Sequence, residues 1–142
     1  MVRNISKIDI VAPIAAVWRA LTAADCVKLW QYGSELHTSW VVGTEIRFRT
    51  LWQDKVFEQW GTVLEFRPPH LLRYSLFAPG PNLEDKAENY FTMIYQLEQQ
   101  PDFVSLAIIQ QDDRAGAVQE TPQTEENPVL AELKKVAEAM AL

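Results

Sequence analysis

At 142 residues, with 48% hydrophobic and 23% charged residues, the chain has the length and composition of one globular domain and not of a disordered segment. A net charge of −6 and a pI near 4.9 disfavour a nucleic-acid backbone or an anionic membrane surface as partner, since both select clustered Lys and Arg. The single cysteine, Cys26, excludes an intrachain disulfide and a thiolate metal cluster, and the longest apolar run, Ile10 to Trp18, is too short to cross a bilayer. The expectation is one domain over residues 1–142, cytoplasmic because no signal-type segment is present, with no cofactor.

Arg3 to Val11 alternates as a half-buried strand with Ile8 and Ile10 inward, and Pro13 ends it. Ile14, Val17, Trp18 and Leu21 then form a helical stripe. Thr22 to Asp25 reads as a capping box for a second short helix running to Trp30. Glu35 to Trp40 is a short strand, and Val41 to Gly43 a turn. Thr44 to Trp52 is a strand with Ile46, Phe48, Thr50 and Trp52 on one face. Gln53 to Lys55 closes a hairpin, and Val56 to Phe66 returns with Glu58, Trp60, Thr62 and Phe66 on one face. Gly61 marks a bulge or a close backbone approach.

Pro68-Pro69-His70 breaks that strand. Leu71 to Phe77 follows, then a loop with two prolines from Ala78 to Glu88. Tyr90 to Glu98 alternates, with Phe91, Met93 and Tyr95 together, and Phe103 to Gln111 is the last strand. Asp112 to Glu126 is polar and aperiodic, and reads as a mobile connection. From Asn127, an N-cap, and Pro128, a good first helical residue, a final helix runs to Leu142 with Leu130, Leu133, Val136 and Met140 on one stripe. Such a stripe needs a cover, and the chain supplies mainly strands. Strands joined by short loops pair antiparallel, and helices segregated in sequence define an α+β fold. The expected architecture is a curved antiparallel sheet of six or seven strands wrapped around the C-terminal helix, with two short helices after the first strand.

Ile8-Asp9-Ile10-Val11-Ala12-Pro13, with Val17 to Thr22 after it, resembles the opening of the START-like, or SRPBCC, superfamily. Trp40-Val41-Val42-Gly43-Thr44-Glu45-Ile46-Arg47-Phe48 and Gly61 to Pro69 resemble stretches of the group related to the heat-shock-chaperone ATPase activator. The resemblance spans nearly the whole chain. It implies a helix-grip fold, with a cavity between the sheet and the C-terminal helix that in such proteins takes lipids, hormones or polyketides.

On that expectation the ligand is an apolar or aromatic small molecule. Trp30 and Trp40 stand near the mouth; Phe48, Trp52, Trp60, Tyr74, Phe91 and Tyr95 line the sheet; Leu133, Val136 and Met140 form the helix wall. Glu58, Thr50 and Tyr95 are the polar residues offered for orientation. One alternative is an enzyme of the same fold, using Glu58 or Tyr74 as acid or base in polyketide cyclase or dehydratase chemistry. Another is a module that contacts a chaperone. Glu35 and His37 supply too few ligands for a metal, Cys26 lacks a basic partner, and no Gly-rich phosphate loop or Gly-x-Ser-x-Gly elbow is present.

Overall fold

The computed structural model describes residues 2–140, so Ala141 and Leu142 of the predicted last helix lie outside the described residues. The chain builds β1 (Val2–Ile10), α1 (Ile14–Thr22), α2 (Ala24–Trp30), β2 (Glu35–Thr38), β3 (Glu45–Trp52), β4 (Lys55–Arg67), β5 (Leu71–Leu76), β6 (Phe91–Gln99), β7 (Val104–Asp112) and α3 (Pro128–Met140). All ladders are antiparallel, in a seven-stranded sheet of order β1-β7-β6-β5-β4-β3-β2. This is the expected α+β helix-grip architecture. No helix among the described residues is long and apolar enough to cross a membrane.

Local chemistry explains the elements. The Pro13 carbonyl accepts from the amides of Ala16 and Val17 and starts α1. The capping box expected at Thr22 is absent: Ala23 is the N-cap of α2, and the Thr22 hydroxyl instead donates back to the Trp18 carbonyl. Trp30 ties α2 to α1 through Nε1–H, which donates to the Ala20 carbonyl at 2.8 Å. The two-residue turn between β3 and β4 holds Gln53 and Asp54 at φ of 49° and 62°, the left-handed pair that matches strand twist. Asn127 caps α3 as expected, its Oδ1 accepting from the Val129 amide.

Core packing lies on the helix-covered face. Leu130, Leu133, Val136 and Ala137 of α3 are buried there with Val17, Ala20 and Leu21 of α1 and with Ile8, Ile10, Leu72, Val104 and Leu106 of the sheet. The segment Asp112–Glu126, expected to be a mobile connection, is instead strapped along β1. Lys7 donates its amide to the Gln123 carbonyl, Gln123 donates to Ile5, and the Asn4 side chain holds Val118, Gln119 and Glu120. The strap hydrogen-bonds the outer edge of β1, so that edge is covered.

One bulge corrects the reading of β4. Up to Val63 its odd-numbered residues share a face with Ile46 and Phe48, because Gly61 opposes Ile46 and Gln59 opposes Phe48. The register then shifts between Val63 and Glu65, so that Phe66 opposes Leu72 on that same face. Glu58, Trp60 and Thr62 therefore lie on the outer face, opposite to the expected one. Gly61 is the close approach: a Cβ there would stand 1.8 Å from the Ser75 carbonyl oxygen.

Candidate functional site

Ser6 of β1, Ile108 of β7, Tyr95 of β6 and Leu72 of β5 stand in one row across the sheet. Asn4, Gln110, Met93 and Tyr74 form the next row toward the start of β1. Burial among these rows is uneven. Leu72, Tyr74 and Tyr95 are closed over, whereas Ser6, Met93, Ile108 and Gln110 are only half-buried. Over the half-buried part lies a cavity of about 350 Å³, lined by Ser6, Met93, Tyr95 and Ile108 on the sheet and by Trp30, Gln31, Tyr32, Asn127, Val129 and Leu130 at the ends of α2 and α3. A smaller space of about 160 Å³ adjoins it through Ser6, Met93 and Ile108 and runs under the strap at Glu120, Thr121 and Gln123.

The polar centre is a pair of phenols. The hydroxyls of Tyr74 and Tyr95 lie 3.2 Å apart in a buried setting, with the rings stacked at 6.0 Å. Burial pushes both phenols above their ordinary ionisation range, and for Tyr74 the neighbouring Tyr95 adds to the shift. They are therefore neutral hydrogen-bonding groups and not bases. At the far end of the same face Arg114 clamps Asp112, Nε to Oδ1 at 2.8 Å and Nη2 to Oδ2 at 2.6 Å, while its guanidinium lies over the Phe91 ring. The Arg114 hydrogen bond holds the buried Asp112 carboxyl below its ordinary range.

The expected site residues divide into three groups. Trp30 and Tyr95 meet at the cavity, with Tyr74 directly behind Tyr95. A second group faces the same side and is spent in packing. Phe48 packs on Tyr74 at 5.8 Å, and Trp40 stacks on Phe66 at 5.2 Å while its Nε1–H donates to Thr22. Phe91 lies beneath Arg114, and Leu133 and Val136 are core. Half-buried Met140 sits with its sulfur 3.5 Å from Cys26 Sγ. Cys26 is buried, and that burial raises its thiol.

The third group is remote from the cavity. Thr50 is half-buried near the hairpin end, and Trp52 beyond it is 62% exposed. Glu58 and Trp60 are on the outer face, where Arg47 pairs with Glu58 and lies 5.0 Å over the Trp60 ring. Sequence reasoning missed Ser6, Met93, Ile108, Val129 and Leu130. Met93 was legible as an inward residue beside Phe91 and Tyr95, but only the tertiary packing shows that α3 stops short of covering it and Ile108.

An antiparallel sheet gripping a C-terminal helix, with a cavity beside that helix's start, defines the helix-grip class. Within it, the model of the family described as "Activator of Hsp90 ATPase homolog 1-like protein" matches residues 11–138, and the chain belongs to that family. Similar solved structures include a protein from Cytophaga hutchinsonii, 25% identical, covering 98% of this chain and 85% of the other with a TM-score of 0.69. An AHSA1-like protein from Aeromonas hydrophila is 17% identical, with 96% and 92% coverage and a TM-score of 0.73. The protein of the Aha1 dimer from Colwellia psychrerythraea is 18% identical, with 82% and 81% coverage and a TM-score of 0.60. No curated protein sequence matches the chain.

Proposed function

We propose that this protein binds a small, mainly apolar molecule that carries an acceptor oxygen, in the cavity between β1, β6, β7 and the start of α3. The observation that carries this reading is the Tyr74–Tyr95 pair. Two hydroxyls bring two protons, and their mutual hydrogen bond consumes one. The other is available to a carbonyl or hydroxyl oxygen of a ligand held against Tyr95, where the cavity wall is also formed by Met93, Ile108, Val129 and Leu130. Apolar walls with a few fixed polar groups are the usual design of such sites. Enzyme chemistry receives less support, because Glu58 faces away from the cavity and both phenols are held neutral.

Native mass spectrometry of the freshly purified protein tests the proposal. A co-purified small molecule is expected on the wild type, and depleted in Tyr95→Phe and in the cavity-filling Ser6→Trp. Equal occupancy in all three proteins would place the ligand elsewhere. A bare wild type that also fails to bind 8-anilinonaphthalene-1-sulfonate would overturn the reading.

The family's description favours a second reading, contact with a heat-shock chaperone. Stimulation of a purified chaperone's ATPase by this protein would support it, and no stimulation would remove it.

A further inference from the structure

Glu58 and Trp60, which the bulge turns away from the cavity, border a second recess. It has a volume of about 510 Å³ and is lined by Val56–Trp60 on one side and by Ala78 and Pro79 on the other. The recess exists because β4 outruns β5. The last contact between them is the bridge of Trp60 with Phe77, in which each amide donates to the other's carbonyl, at 3.2 and 2.7 Å. Next come Ala78 and Pro79, and Pro79 has no amide proton with which to extend the ladder. Lys55–Gln59, about 17 Å of strand at about 3.4 Å per residue, therefore pair with β3 alone.

Which backbone groups are left open follows from the alternation of an antiparallel ladder. Trp60 directs its amide and carbonyl toward β5, so Val56 and Glu58 direct theirs the same way, into the recess. No backbone hydrogen bond links either of them to another segment on that side among the described residues. The side chains beside this edge are apolar and exposed: Leu51 70%, Trp52 62%, Val56 47% and Phe57 53%. Elsewhere the fold treats an edge differently, since β1 is covered by its own strap at Gln123. At β4 the chain cannot supply the cover, because Pro79 and Pro81 deny it a continuous ladder.

We propose that this edge is a docking site for an extended polypeptide segment of a partner protein, which adds a short strand to β4 at Val56 and Glu58. The partner's chemistry follows from the edge. Its backbone must offer amides and carbonyls at alternate residues, and the residue set against Phe57 must be apolar. No charge on it is demanded, because the Glu58 carboxylate is already paired with Arg47. A two-stranded ribbon is marginal in water by itself, so a third strand would also order the hairpin. The site is separate from the cavity and does not depend on the ligand reading.

The test begins with a random linear peptide library displayed on phage, selected on the intact protein. A selected synthetic peptide is then titrated against wild type, Val56→Pro and Val56→Thr, with amide exchange followed by NMR. In the free wild type, the Val56 and Glu58 amides should exchange faster than those of Phe57 and Gln59, and the peptide should slow them. Val56→Pro removes one edge donor and leaves a peptide carbonyl without its partner, which should weaken binding about tenfold or more. Val56→Thr keeps the donor and should bind within about threefold of wild type. Tyr95→Phe should bind the peptide unchanged, which separates this site from the cavity. The proposal is overturned by a library that yields no binder, by a peptide that leaves the Val56 and Glu58 amides unprotected, or by equal binding to a folded Val56→Pro. Concentration-dependent dimerisation that Val56→Pro abolishes, with no peptide enriched, would assign the edge to a second copy of the chain. The exchange measurement on wild type stands even if the proline variant does not fold.

Discussion

The Tyr74 hydroxyl reaches the Tyr95 hydroxyl at 3.2 Å from the adjacent strand, and both side chains are buried. Each is therefore the other's polar partner inside an otherwise apolar layer. Tyr95→Phe should destabilise the protein by about 1–3 kcal/mol, because it strands the Tyr74 hydroxyl. Tyr74→Phe should do the same. The double variant should lose clearly less than the sum, since no unpaired hydroxyl remains. Urea unfolding of the four proteins measures this, and strict additivity would rule the coupling out.

Acid stability should depend on Asp112. Arg114 lowers its folded-state ionisation below the value of about 3.9 for an unfolded Asp. A lowered carboxyl contributes stability that is complete above the unfolded value and is lost as pH falls through the folded one. Arg114→Ala should thus cost about 1–3 kcal/mol at neutral pH, and the gap from wild type should close toward low pH. Thermal melts across that range follow the convergence.

Gly61→Ala should be among the most damaging small substitutions in the chain. The added Cβ would meet backbone, the Ser75 carbonyl, at 1.8 Å, and no side chain can swing aside. A loss of about 3 kcal/mol or more is expected, with the β4–β5 ladder disturbed first. Circular dichroism melts and amide exchange at Ser75 and Phe77 would reveal it.

Two large apolar residues from the expected binding set should behave in opposite ways. Leu133 is fully buried on α3, and Leu133→Ala should cost about 2–5 kcal/mol. Trp52 is 62% exposed at the hairpin tip, and Trp52→Ala should change stability by less than about 0.5 kcal/mol and leave cavity binding intact. Denaturant midpoints and ligand occupancy separate the two cases.

The linear pattern alone determined the α+β class, the element order, the Asn127 cap and the apolar stripe of α3. Each depends on residues close in sequence, through alternation, helical spacing or the fixed φ of proline. It also singled out Tyr74 and Tyr95, because inward alternation on β5 and β6 is uninterrupted, whereas Trp30 on α2 was expected at the mouth only through the family resemblance. Tertiary structure decided the rest. The register shift between Val63 and Glu65 put Glu58 and Trp60 on the outer face, and a one-residue slip reverses every side chain before it. The strap on β1 comes from hydrogen bonds to Asn4, Ile5 and Lys7, more than a hundred residues away in the chain, which no local period encodes. The cavity itself is a matter of where α3 ends relative to Met93 and Ile108. That position depends on how α3 packs on the sheet and on α1 and α2, which no window of the sequence contains.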